Sequence, residues 1–143
     1  MYDSGTQSRL TPDGKPLPVI TPLNDGFFAH ARKGVFSIQT CRGCGDRHIP
    51  ESPVCPRCLS EDQEWEPASG RGTLESWVEF HRAYWDGFKA DLPYLVGLVR
   101  LDEGPLFIAR LNADESALKC GAPVRIVFRD ATERIAIPEI ELA

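Results

Sequence analysis

A chain of 143 residues with 42% hydrophobic and 26% charged residues is globular rather than disordered, with room for one ordinary domain or one small domain and a satellite. No apolar run approaches the ~20 residues that span a bilayer. The polar start MYDSGTQSRLTPDGK lacks the apolar centre of a secretory signal, so the expected setting is cytoplasmic, where thiols stay reduced. A formal charge of −5 works against nucleic-acid phosphates unless a local basic patch overrides it.

In chain order, residues 1–22 hold Pro12, Pro16, Pro18 and Pro22 among polar side chains, which predicts an extended arm. Asn24 or Asp25 is placed to cap a short helix through Phe27, Phe28, Ala29 and Ala31, stopped by Gly34. Two adjacent phenylalanines are too apolar to lie free, so this helix must pack on something. Residues 35–39 read as a strand feeding the cysteine-rich stretch that follows.

That stretch, CRGCGDRHIPESPVCPRC, places two Cys-x-x-Cys pairs ten residues apart. Disulfides, a redox pair and a bound metal compete to explain it. A reducing compartment counts against disulfides, and a redox pair normally stands alone beside a βαβ unit, which is missing here. Each pair can instead turn as a tight knuckle, and two knuckles complete a tetrahedral shell from Cys41, Cys44, Cys55 and Cys58. Four sulfurs suit zinc, with a single iron as the chemical alternative. A filled shell leaves no position for a catalytic water, so the metal is a structural staple and His48 a supporting residue, not a fifth ligand. Gly43 and Gly45 are expected to supply positive φ in the first knuckle, and Pro56 stiffens the second. Arg42, Arg47 and Arg57 offset the net −2 of four thiolates on a divalent cation, or hold phosphates. Val54 is expected to close the small ribbon core, with Trp65 near its exit.

From Gly70 onward the texture is short strands separated by turns. In residues 73–80, Leu74, Ser76, Val78 and Phe80 share one face and Thr73, Glu75, Trp77 and Glu79 the other, the period of a half-buried strand. Residues 94–101 are nearly all apolar, as in a strand covered on both faces. Asp102, Glu103 and Gly104 turn the chain into a strand over residues 106–111, and residues 112–119 have room for one helical turn. Val124, Ile126 and Phe128 then alternate with Arg125, Val127 and Arg129, and a last strand passes through Ile135 and Ile137. Five strands with a short helix between the third and fourth predict an OB barrel. The expected fold is mainly β: arm (1–22), helix and zinc ribbon (23–68), and five-stranded OB domain (69–143).

The segments FFAHARKGVFSIQTCRGCG, VCPRC, RGTLESWVEFH, PYLVGLVRLDEG and CGAPVRIVF, in this order, resemble the DUF35 OB-fold family with its rubredoxin-like zinc ribbon. The resemblance covers about residues 23–130. It implies an acyl-CoA-associated accessory protein that binds a thiolase-fold enzyme or a lipid-transfer-protein-like thiolase or aldolase, and helps seat or channel the CoA thioester. Other members of the family pair with hydratase-like partners in steroid side-chain degradation.

A CoA thioester needs cations for its phosphates and aromatic or aliphatic surface for its apolar arm. The loop between the first two barrel strands is the richest source of both. It offers Phe80, His81, Tyr84, Trp85, Phe88 and Lys89, with Tyr94 just beyond. Three roles stay open for it: a cover on the barrel end, a protein interface, or direct ligand contact. No G-x-S-x-G elbow, P-loop or G-x-G-x-x-G junction is present. His30, His48 and His81 fall in no triad pattern, and Cys120 reads as a small buried hydrophobe. The chain is therefore expected to have no chemistry of its own. Nucleic-acid binding is the alternative that the fold class suggests, with Trp77 and Tyr94 as its stacking candidates, and a small stand-alone thioester enzyme is a third.

Overall fold

The computed structural model describes residues 10–143; the first nine residues of the predicted arm lie outside them. Residues 11–15 close a turn in which the Thr11 N–H donates to the Lys15 carbonyl at 2.7 Å. The first helix, α1 (Asp25–Ala31), follows. Asn24 sits at its N-cap but reaches backwards: Oδ1 accepts from the Thr21 N–H at 2.8 Å and Nδ2 donates to the Val19 carbonyl at 3.0 Å. Its side chain thus ties the arm to the helix instead of capping it. Gly34, at φ +73°, ends the helix in a Schellman-type turn, with Gly34 N–H to Ala31 O at 2.9 Å and Val35 N–H to His30 O at 3.0 Å.

The ribbon is a three-stranded antiparallel sheet of β1 (Ser37–Cys41), β2 (Arg47–His48) and β3 (Gln63–Pro67), in the order β2–β1–β3. The first strand starts two residues later than the sequence predicts and runs into the first cysteine. The barrel comprises β4 (Arg71–Phe80), β5 (Tyr94–Leu101), β6 (Leu106–Asn112), β7 (Pro123–Asp130) and β8 (Ala136–Leu142), closed in the order β4–β5–β6–β8–β7. Only β6 and β8 run parallel. A 3₁₀ turn at Glu115–Ala117 lies between the third and fourth barrel strands, where a helical turn is expected. This is the OB arrangement, mainly β, that the pattern of strands predicts.

The face assignment of β4 needs correction. Its pairing with β5 slips between Leu74 and Ser76, and such a bulge exchanges inside for outside. Before it, Gly72 and Leu74 are buried; beyond it, Trp77 turns against the core while Val78 is 56% exposed. Along β5 the inward row Leu95, Gly97, Val99 and Leu101 is buried, while Tyr94, Val96 and Leu98 on the outer face are only half-buried. That strand is therefore not covered on both sides. Cys120 is also corrected: it is exposed. It sits in a turn where Gly121, at φ +86°, donates its N–H to the Leu74 carbonyl at 2.7 Å, so the side chain before it points outward.

Ribbon, helix and barrel share one hydrophobic cluster. Phe27 joins them, packing against Phe36 (5.9 Å between ring centroids), Trp65 of β3 (5.6 Å) and Phe128 of β7 (6.5 Å). Trp65 Nε1 donates to the Leu23 carbonyl at 3.0 Å, which fixes the chain ahead of the helix. Val54 is only half-buried and lies outside this cluster; Ile38, Ile49 and Trp65 do the work expected of it. Burying one such aromatic contributes about 2–3 kcal/mol, so the phenylalanine pair supplies much of what joins ribbon to barrel.

Candidate functional site

The sulfurs of Cys41, Cys44, Cys55 and Cys58 all lie within 4.8 Å of one another. The pairs Cys41–Cys58 and Cys44–Cys55 are each 3.6 Å apart. A disulfide requires about 2.05 Å, whereas the edge of a tetrahedral zinc–thiolate shell is about 3.8 Å for bonds of about 2.3 Å. The four thiolates thus fit a structural zinc ion, which supplies cross-linking and no chemistry of its own. The two knuckles repeat one another. Gly45 (φ +76°) donates its N–H to the Cys41 carbonyl at 2.8 Å, and Leu59 (φ +65°) donates to the Cys55 carbonyl at 2.9 Å. Left-handed backbone comes easily to glycine and costs leucine, so only the second knuckle is strained. Gly43 is not among the positive-φ glycines. The Cys44 N–H, aimed at the Cys41 sulfur, is the main influence that brings that thiol down to about 7. Against the Asp46 and Ser60 N–H groups that favour their thiolates, burial pushes Cys44 up to about 12 and the neighbouring Cys41 sulfur pushes Cys58 up. One thiolate forms readily, and the others need the cation itself.

Asp46, His48 and Cys55 also come within 4.8 Å of one another, but Cys55 belongs to the four-sulfur set. The His48 ring is held between Asp46 Oδ2 (3.2 Å) and Gln39 Oε1 (2.9 Å), and Gln39 in turn accepts the Ser52 N–H at 2.8 Å. His48 therefore braces the segment between the knuckles. The three arginines part company. Arg42 is engaged by Asp62 at 2.9 Å and Glu64 at 2.8 Å, while Arg47 and Arg57 are exposed beside a crevice of 380 Å³ next to the β5–β6 turn.

The aromatic loop divides in two. Phe80 stacks on Tyr94 (5.2 Å, 10° between planes), Phe88 lies 5.6 Å from the same ring, and the Arg110 guanidinium sits 5.2 Å from it. These three aromatics are half-buried and held by one another. Tyr84 (67% exposed), Trp85 (50%), His81 and Lys89 face outward. The Arg82 guanidinium covers Tyr84 at 5.2 Å, His81 Nε2 lies 2.7 Å from Glu79, and Lys89 pairs with Asp86 at 3.0 Å. Residues Asp86–Asp91 form a 3₁₀ turn. Asp91 at its end binds Arg110 of β6 at 2.8 Å and Lys15 of the arm at 2.9 Å. Arg110 first, then Lys15, holds its carboxyl below the usual carboxylate range.

Beneath this loop lies a cleft of 610 Å³ between arm, helix, ribbon and barrel. Its apolar walls include Val19 of the arm, Phe28 of α1, Trp65 of β3, Phe88 of the loop, and Phe107 and Ile137 of the barrel. Arg110 and Arg129 reach the same cleft; the Nε of Arg129 is 3.0 Å from the carboxylate of Glu139, which is buried and also accepts from Asn112 at 2.9 Å. The volume lies within the ~300–1,000 Å³ of ordinary ligand sites. Of the loop residues singled out in the sequence, only Phe88 lines it. The other walls come from segments whose apolar residues read as ordinary core, and Lys15 and Asp91 carried no motif at all.

A closed OB barrel fused to a four-cysteine ribbon defines a zinc-ribbon/OB-fold protein. Family models agree on both parts: the rubredoxin-like zinc ribbon domain of ChsH2 matches residues 28–64, and the C-terminal OB-fold domain of ChsH2 matches residues 65–129. The chain belongs to the DUF35 family. It is 34% identical to a DUF35 domain-containing scaffold protein of Pyrococcus furiosus over 63% of this chain and 68% of that one. It is 30% identical to a probable enoyl-CoA hydratase alpha subunit of Thermomonospora curvata over 87% of this chain, but spans only 39% of that relative's length. A benzoylsuccinyl-CoA thiolase subunit, BbsA, of Thauera aromatica is 30% identical over 60% of this chain and 58% of its own. Among solved structures, the Ltp2-ChsH2(DUF35) aldolase superposes with a TM-score of 0.76 at 28% identity, covering 87% of this chain and 98% of that one. Two of these relatives are thus named as enzyme subunits, one of an enoyl-CoA hydratase and one of a benzoylsuccinyl-CoA thiolase. No helix among the described residues is long and apolar enough to cross a membrane.

Proposed function

We propose that this chain is a non-catalytic accessory subunit that docks on a thiolase-like enzyme, or a lipid-transfer-protein-like aldolase or thiolase, and helps to bind or channel its CoA thioester. The observation that carries this reading is the naming of relatives as subunits of enzymes that act on CoA thioesters. The cleft adds physical support. Its apolar walls suit the acyl and pantetheine portions of a thioester, and the N–H donors that Arg110 and Arg129 do not give to Asp91 and Glu139 suit polar or anionic groups. The outward Tyr84 and Trp85 form a rim of the kind that protein interfaces favour.

The nucleic-acid alternative gains nothing from the same geometry. Trp77 packs against the core, and Tyr94 is stacked on Phe80 with the Arg110 guanidinium over its ring. Neither ring is free to receive a base. Co-expression with candidate thiolase-fold enzymes of the same organism tests the proposal. A stable complex whose turnover of an acyl-CoA drops when this chain is omitted is expected. Recovery of this chain alone, with no effect on turnover, would contradict it.

A further inference from the structure

The arm is attached to the rest of the molecule in an unusual way. At its far end Asn24 holds the Val19 carbonyl and the Thr21 N–H. At its near end Gly14 lies directly on Gly87 of the 3₁₀ turn: a Cβ on Gly87 would overlap the Gly14 backbone and stand 2.6 Å from the Asp13 carbonyl oxygen. Beside this contact Lys15 Nζ reaches Asp91 at 2.9 Å and lies 5.6 Å from the centre of the Phe88 ring. Between the two pins stand Pro16 and Pro18, which have no N–H to give to a neighbouring strand. Val19 and Ile20 stay substantially exposed. The segment is thus pinned at its ends by a few polar and glycine contacts, while residues 14–18 between them are only half-buried and none of residues 11–20 is fully buried. Such segments open locally while the rest of a protein stays folded. Yet Pro18 and Val19 form one wall of the cleft, and Phe88, under Lys15, forms another.

We propose that residues 11–19 are a strap that forms a movable wall of the cleft, latched by the ion pair of Lys15 with Asp91 at the Gly14–Gly87 contact. Asp91 is the positioning residue, because it holds the strap through Lys15 and the barrel through Arg110 at once. Release of the strap widens the cleft along its arm side and admits a ligand too bulky for the closed form. The inference rests on the cleft being the ligand site of the accessory subunit, but its test needs neither a partner enzyme nor CoA.

Two variants separate latch from fold. Lys15→Ala removes the strap's side of the latch and leaves Asp91 on Arg110; Gly87→Ala wedges the glycine contact apart. Amide hydrogen exchange and the binding of the apolar dye 1-anilinonaphthalene-8-sulfonate are read on the zinc-loaded full chain. Exchange of residues 11–21 should rise about tenfold or more in both variants, with β5 and β7 unchanged. Association of the dye should speed up several-fold in both. Unchanged exchange of residues 11–21 in both variants would overturn the latch. A freed strap with unaltered dye binding would overturn its role as a wall.

Discussion

The zinc knuckles and the aromatic loop are both excursions between strands, yet they are held in opposite ways. The knuckles are closed by atoms from one short stretch: four sulfurs, two repeated backbone turns and the His48–Gln39 brace. The loop is closed by residues far apart in the chain, with Lys15 and Gly14 of the arm meeting Gly87, Phe88 and Asp91 while Arg110 reaches in from β6. A metal makes the first region rigid and independent of distant sequence. The second depends on tertiary packing and is correspondingly easier to open, which suits the ligand site proposed for it.

The largest effect should come from breaking the knuckles. Cys41→Ser or Cys55→Ser should release the zinc and unfold the ribbon, because binding of a structural zinc is worth roughly 10 kcal/mol or more and is coupled to local folding; metal analysis beside circular dichroism reads both. Retention of a full equivalent of zinc by both variants would refute the ligand set. Next comes Phe27→Ala, which empties the joint between ribbon and barrel. A loss of about 3–5 kcal/mol in a denaturant titration is expected, and a loss well under 1 kcal/mol would mean the two parts stand independently.

Legibility in the sequence follows the same contrast. The four ligands could be found because their spacing is local, and the barrel because five strands and a helical turn leave few other closures. The face of Val78 was misjudged because a bulge near Glu75 leaves the alternation of residue types intact while reversing its meaning. The loop's residues could be named, but not sorted. Nothing local tells that Phe88 is held under Lys15 while Trp85 is left outside. The cleft is not legible, because Trp65, Phe107 and Ile137 carry no mark that separates a wall from a core.

Two smaller effects sharpen the comparison. Leu59→Gly relieves left-handed strain in the second knuckle and should stabilise the ribbon by up to about 1 kcal/mol; destabilisation would show that the freedom glycine adds to the unfolded chain outweighs the strain it relieves. In the loop, the depressed carboxyl of Asp91 contributes stability that is fully present above its unfolded value, about 4, and is lost as pH falls through the lower folded value. Hydrogen exchange of residues 11–21 should therefore stay slow, after correction for intrinsic rates, from neutral pH to about 5, and quicken only below about 4. Loosening already near pH 6 would assign the latch to another group.

The most direct test compares hydrogen exchange of this chain free and in complex with the thiolase-like enzyme on which it is proposed to dock. The account predicts new protection at residues 80–91 and along β6, where the rim and cleft meet the partner and its thioester. Protection confined to the zinc knuckles and β2, with the aromatic loop exchanging as it does in the free chain, would contradict it.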